Sequence, residues 1–338
     1  MTPLLVGLAG YVVVFAVLGP RLLRGCERRQ RVTPRSGLLL WTAVPTSWVA
    51  AVLAVGLAAT AQLTGGLGLA ALVHACLRAV LTMLDARQPE NVPTAVALLG
   101  SFAIVVRLCW VAARQAYLDR RQRRAHHREV CRPAATAFVG GRRISILESP
   151  TPAAYCVPGR RQVIVLTTGA LARLSAPELD AVLGHEHAHL RGRHHVVLAW
   201  GTILAAAFPF IPLLQRMPHE LARLLEWLAD DHASRRHGRH TVASALVTMA
   251  TSATTYPPDA ALTVTGSDVV DRVRRLLQPP SRERATRWPL TAAITAPVLA
   301  FATAAALLVP AVTADPTPLC QGQRAWGKPS SSAHHITT

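Results

Sequence analysis

The chain has 338 residues, of which 51% are hydrophobic and only 16% charged, and 36 basic side chains against 18 acidic ones give it a formal net charge of +18. Such a balance excludes a disordered tail, which would carry far less apolar sequence, and an ordinary water-soluble enzyme, which would carry more charge. Long apolar runs flanked by arginine blocks imply membrane helices instead.

Residues 4–23 form the first such run, followed by Arg21, Arg24, Arg28, Arg29, Arg31 and Arg35. About 20 apolar residues suffice to cross a hydrocarbon core of about 30 Å. With no basic leader and no small-residue cleavage site, the run is expected to be a retained anchor. A second span is expected at 37–61. A third, at 94–113, runs into Arg114, Arg120, Arg121, Arg123, Arg124 and Arg128. A fourth, at 288–314, is entered through Arg282, Arg284 and Arg287. Four spans put every arginine cluster on the cytoplasmic side and both termini outside. The apolar stretch 65–84 carries a Gly-Gly pair, His74 and Arg78, and counting it as a span would split the arginine clusters between two sides. It is therefore expected to be an interfacial helix. The Ser/Pro/Gly-rich residues 315–338 read as a loose extracytoplasmic tail. The basic run Arg120 to Arg128 fits attraction to anionic lipid headgroups at a juxtamembrane position. It lacks aromatic interleaving and any nucleic-acid motif, so no direct nucleic-acid binding is expected.

Residues 1–115 are thus expected to be membrane helices, and residues 116–287 a cytoplasmic domain. That domain opens with the basic helical run. Arg143–Leu147, Ala154–Val157 and Gln162–Leu166 then read as short strands separated by Ser-Pro-Thr-Pro and Pro-Gly turns. Ser175-Ala-Pro-Glu178 has the spacing of a capping box, so a helix is expected to start there.

That helix carries His185-Glu186-His187-Ala188-His189. Two histidines four residues apart share a helix face and can reach one zinc ion, while Glu186 sits where it can deprotonate the attacking water. With 14 His and 9 Glu in the chain, random placement would give this pattern about 0.015 times. Zinc needs a third ligand, and two candidates compete. His195 completes His185-Glu-x-x-His189-x-x-Gly192-x-x-His195, similar to the metzincin pattern, with Met217 or Met249 available for a later Met-turn. Glu226 lies in Glu226-Trp-Leu-Ala-Asp230-Asp231, where a helix puts Glu226 and Asp230 on one face; Glu226 would ligate and Asp230 would accept a hydrogen bond from a liganding imidazole. The apolar stretch after His195, interrupted by Pro209, Pro212 and Pro218, favours Glu226. Residues 196–218 as a re-entrant or membrane-surface hairpin turning at Phe208-Pro-Phe-Ile-Pro212 return the chain to the side of His185, whereas a span would carry Glu226 away. His187, His194 and His195 are then expected to line the outside of the motif helix or to touch headgroups.

From about Ile144 to Ala233 the sequence resembles the membrane metallopeptidases that include the BlaR/MecR antirepressors, gluzincins related more distantly to the HtpX and CAAX-prenyl-protease group. The resemblance is carried by Ser149-Pro-Thr-Pro-Ala-Ala, Val163-Ile-Val-Leu-Thr-Thr-Gly, Leu174-Ser-Ala-Pro-Glu-Leu, His185-Glu-His-Ala-His189 and Glu226-x-x-x-Asp230-Asp-x-Ala233. It implies a mainly α membrane protein of four spans bearing an α+β gluzincin-type domain. That domain would comprise a small sheet, the HExxH helix, the hairpin and the ExxxD helix. It further implies one zinc per chain on His185, His189 and Glu226, Glu186 as general base, and the strand Gln162–Leu166 pairing with substrate. A basic residue after the third ligand, for which Arg272 is the candidate, would stabilise the oxyanion. The implied activity is zinc-dependent endopeptidase cleavage on the cytoplasmic side, of a transcriptional repressor in a signalling pathway or of the chain itself. Membrane-protein quality control is the alternative reaction setting, and a non-catalytic zinc-containing receptor or scaffold the alternative class. About 25 residues follow the last span, where antirepressors carry a large penicillin-binding sensor, so the resemblance implies no β-lactam sensing.

Overall fold

A computed structural model describes residues 16–21, 23–25, 33–64, 69–84, 92–130, 136–139, 142–157, 163–251 and 266–278. Most of the expected first span, Arg282 to Arg287, the fourth span at 288–314 and the tail at 315–338 lie outside the described residues.

After helical residues at 16–21 and 23–25 come α1 (Pro34–Thr64), α2 (Leu69–Leu84) and α3 (Val92–Val130). Thr33 caps α1 by accepting the Ser36 amide at 3.3 Å, and Pro34 occupies the first helical position, where its missing N–H goes unused. Among the described residues two stretches, Pro34–Leu53 and Leu98–Gln122, are long and apolar enough to cross a membrane by length and composition. They correspond to the spans expected at 37–61 and 94–113. The second apolar window extends further toward the basic residues than expected, because α3 continues as one helix into them. The stretch expected to be interfacial forms α2, which packs Ala79 against Ala95 and Leu98 of α3 and leaves Val73, Leu77, Val80 and Leu81 exposed.

Four strands follow: β1 (Thr136–Val139), β2 (Arg142–Leu147), β3 (Ala154–Val157) and β4 (Val163–Thr167), in the sheet order β1-β2-β4-β3. Three of them fall within one residue of the expected strands, and β1 was not expected. β2 and β4 are parallel, with Ile144 opposite Ile164, and the other two pairings are antiparallel. This order corrects one expectation. The strand assigned to substrate pairing, Gln162–Leu166, is β4, and both its sides are occupied by β2 and β3. An edge lies instead on β3, which among the described residues pairs with β4 alone. The Ser-Pro-Thr-Pro loop is stapled to the end of β4: the Thr167 hydroxyl donates to Thr151 O and accepts from Ala153 N, each at 2.8 Å. Gly169 lies so close under this loop that a Cβ would stand 2.2 Å from Pro150 O.

The remaining elements are helical: α4 (Thr168–Arg173), α5 (Ala176–Arg191), α6 (His194–Ala207), α7 (Pro212–His237), α8 (Arg239–Thr251) and α9 (Gly266–Leu277). The capping box forms where expected. Glu178 reaches back to the Ser175 amide at 2.9 Å, and its other oxygen accepts from Ser244 on α8 at 2.6 Å. These hydrogen bonds, that from Ser244 foremost, hold the Glu178 carboxyl below its ordinary pKa. They also fix the start of α5 relative to α8. The helices α6 and α7 form the expected hairpin, with Phe208 to Ile211 as the turn and Pro212 opening α7. Its core, including Leu204, Leu213, Met217 and Leu221, is continuous with Trp41, Val44 and Trp48 of α1. A packing boundary is therefore absent at this junction, and α1 and the hairpin are one folded unit. α9 closes the domain by setting Leu276 among Ala181, Ala233 and Val242. Arg239 donates to the last carbonyls of α9, at 2.8 Å from Leu276 O and 2.6 Å from Arg275 O.

Candidate metal centre

One helical turn separates His185 from His189 on α5, and the crossing of α5 with α7 brings Glu226 against both. The Nε2 atoms of the two histidines are 3.0 Å apart. Glu226 Oε2 is 3.3 Å from His185 Nε2, and its Oε1 is 3.3 Å from His189 Nε2. Zinc held tetrahedrally at about 2.0–2.1 Å from its ligands has ligand-to-ligand edges of about 3.3 Å. The donor set therefore has the chemistry and spacing of one face of a zinc tetrahedron. Among the described residues, His185, His189 and Glu226 are the group that could hold a metal ion.

The chain orients each donor. Asp230, one turn beyond Glu226 on α7, accepts from His185 Nδ1 at 3.0 Å and so presents Nε2 to the centre. Asp230 in turn is gripped by Arg272 of α9, whose Nε and Nη2 lie 2.8 and 2.7 Å from its two oxygens. Nη1 of the same guanidinium is 2.9 Å from Glu226 Oε2. Arg272 thus reaches the site, where its guanidinium is engaged by the two carboxylates. The adjacent pair Arg275 and Asp231, at 2.8 Å, repeats the link between α9 and α7.

His194 contradicts its expected place on the outside. It is 4% exposed, and its Nδ1 is 2.8 Å from His189 Nδ1. The turn after α5 explains this. Arg193 adopts a left-handed conformation (φ 49°), which costs a non-glycine residue about 1–2 kcal/mol and folds the chain back on α5. His195, the metzincin-style alternative, is not in the metal group. Gly192 is right-handed (φ −76°) and does not make the turn that would deliver His195, while Met217 lies buried in a helix of the hairpin core.

Burial pushes Glu186 up, the charge of Glu226 adds to this, and despite the opposing pull of His185 its carboxyl stands at about 7. Burial works against the charge of His185, yet hydrogen bonds to Asp230 and Glu226 raise it to about 10. Burial drives His189 down to about 3, with the charge of His185 acting in the same direction. Glu226 and Asp230 are held well below the usual carboxylate range despite burial, Glu226 first by His185 and Asp230 first by Arg272. Sequence reasoning missed Cys156 of β3, whose thiol hydrogen-bonds to Glu186 and is pushed up to about 12, chiefly by burial. This contact sets the edge strand beside the base.

Residues 114–279 match peptidase family M48. The chain is 39% identical over 88 residues to "Protease HtpX homolog" of Moorella thermoacetica, covering 25% of this chain and 29% of that protein. It is 30% identical over 132 residues to "Plastoglobule-localized metallopeptidase 48, chloroplastic" of Arabidopsis thaliana, covering 38% of each. A third relative, "Protease HtpX homolog 2" of Methanosarcina mazei, is 33% identical over 88 residues, covering 25% of this chain and 30% of that protein. The matched stretch is thus under two fifths of the length of each relative. No solved structure matches the chain. Two of these three relatives carry the HtpX name, the group that the motifs resemble more distantly.

Proposed function

We propose, from a domain that matches peptidase family M48, that this chain is a membrane-anchored zinc endopeptidase. The observation that carries the reading is the convergence of His185 Nε2, His189 Nε2 and Glu226 on one zinc-sized face. A bound zinc ion would supply Lewis acidity, lowering the pKa of water toward about 7 and polarising the peptide carbonyl. Glu186, directly after the first ligand, takes the proton of the attacking water and hands it to the leaving amine. Arg272 is the candidate for steadying developing negative charge, and it also holds Glu226 and Asp230 in position. The substrate backbone pairs with the edge of β3, beside Glu186, as an added strand. Zinc content per purified chain tests the ligand set. About one zinc is expected in the wild type, with none in His189→Ala or Glu226→Ala. Zinc retained by Glu226→Ala would remove that residue from the set.

The membrane part of the proposal is that α1 and α3 cross the bilayer and that the α6–α7 hairpin enters it without crossing. Backbone outside regular helix is tolerated at membrane depth only where its polar groups are satisfied. Arg107, inside the apolar window of α3, donates to the Ala207 and Ala206 carbonyls at the end of α6. Gln215 donates to Ala205 O at 2.6 Å and to Phe208 O at 3.2 Å. Trp200 reaches Thr46, and Phe208 stacks edge-on against Trp48, both within the apolar window of α1. Phe210 at the tip is 92% exposed. A non-crossing hairpin keeps Glu226 on the side of His185, the cytoplasmic side by the arginine rule. In sealed vesicles Phe210→Cys is expected to gain no labelling over the wild type with a membrane-impermeant maleimide until detergent is added; equal labelling before detergent would put the tip in water.

Cleavage of a cytoplasmic repressor is the finer reading and rests on the antirepressor-like motifs. Membrane-protein quality control is the alternative setting for the same reaction.

A further inference from the structure

We propose that His194 is a positioning residue for the metal centre, holding His189 in the tautomer and ring orientation that direct its Nε2 at the ion. The proposal rests on the zinc reading above. An imidazole that gives Nε2 to a metal carries its proton on Nδ1, and that N–H needs an acceptor whose place sets the ring plane. Asp230 plays this part for His185. At His189 the partner is His194 Nδ1, at 2.8 Å, with the two rings edge to face at 85°. For His189 to donate, His194 must be the neutral tautomer with its proton on Nε2.

Two features of the backbone serve this contact. Arg193 is the non-glycine residue with positive φ among the described residues, and its left-handed turn swings His194 back over the last turn of α5. At Gly192 a Cβ would stand 2.4 Å from His194 Nε2 and 2.5 Å from its Cδ2, so the ring rests on a helix end that has no side chain there. The pair of ligands is thus supported asymmetrically: a carboxylate tied to Arg272 behind one, and a neutral imidazole behind the other. A neutral acceptor draws less on the ligand N–H than a carboxylate does, so His189 is the less basic of the two donors.

The test uses the full chain in detergent, with zinc affinity read by competition against a chelator and thermal stability read on the metal-stripped protein. His194→Ala is expected to weaken zinc binding by about 10–100-fold. His194→Asn, whose Oδ1 can stand where Nδ1 stood, is expected to restore most of the loss. His194→Gln, whose amide extends toward Nε2 and Gly192, is expected not to restore it. Gly192→Ala should reproduce the alanine variant by displacing the ring. Wild-type affinity in His194→Ala overturns the proposal while leaving the zinc reading intact. So does an equal loss in the Asn and Gln variants that tracks a lower melting temperature of the metal-free chain, because that pattern means packing alone. A folded wild type that binds no zinc would overturn both readings.

Discussion

Glu186→Gln is expected to lower kcat/KM for peptide cleavage by about 10²–10⁴-fold, with the loss in kcat rather than KM and with zinc content unchanged. The side chain is 9% exposed, and burial sets its carboxyl at about 7, where it can accept a proton from water and release it to an amine at neutral pH. Glutamine keeps the size and the contact with Cys156 but cannot take the proton. Because Glu186 contributes no atom to the metal group, loss of zinc in this variant would mean that the site had been disturbed rather than the base removed. Unaltered proteolysis by a zinc-loaded Glu186→Gln enzyme would sink the assignment. The same variant identifies substrates. New protein N-termini present in cells with the wild type and absent with Glu186→Gln report cleavage; a single repressor among them would favour signalling, and many membrane proteins would favour quality control.

The parts of this site legible in the sequence are those set by short-range geometry. Four-residue spacing on a helix puts His185 beside His189 and Glu226 beside Asp230, and Ser175 with Glu178 marks the start of the helix. Prolines 209 and 212 mark the hairpin turn in a stretch otherwise apolar enough to read as a span. What could not be read depends on contacts between segments remote in sequence or on a single backbone torsion. Strand order is of the first kind: β4 is the most apolar strand because it is central and covered on both sides, and that same position removes it from substrate pairing. Cys156 reaches Glu186 only because β3 is the strand laid alongside α5. The choice between His194 and His195 is of the second kind. The spacing matched His195, but the left-handed Arg193 delivers its neighbour, and an arginine gives little sign that it will adopt such a torsion. Gly192 is the available signal, and its use here is to leave room for an imidazole.

Asp230→Ala is expected to destabilise the fold by about 3–5 kcal/mol, the cost of leaving a buried charge without its partner. Asp230 is 0% exposed and Arg272 6%, so the guanidinium of Arg272 would lose both hydrogen bonds to Asp230 and keep only Glu226 as its partner. Released from Asp230, Arg272 would pull harder on Glu226, and His185 would lose the acceptor of its Nδ1 proton, so zinc affinity should fall along with stability. Arg272→Ala should destabilise to a similar degree by exposing Asp230 to the reverse problem. Replacing both at once with apolar residues of similar volume, Asp230→Leu with Arg272→Met, should recover much of the stability and none of the zinc affinity. That separation distinguishes a pair retained for folding from one retained to aim a ligand. Denaturant unfolding of the metal-stripped chain measures the first quantity and chelator competition the second. A loss in Asp230→Ala of under about 1 kcal/mol, the value of an exposed pair, would mean that water reaches the Arg272 head group and that α9 is held to the site by Leu276 and Arg275 instead.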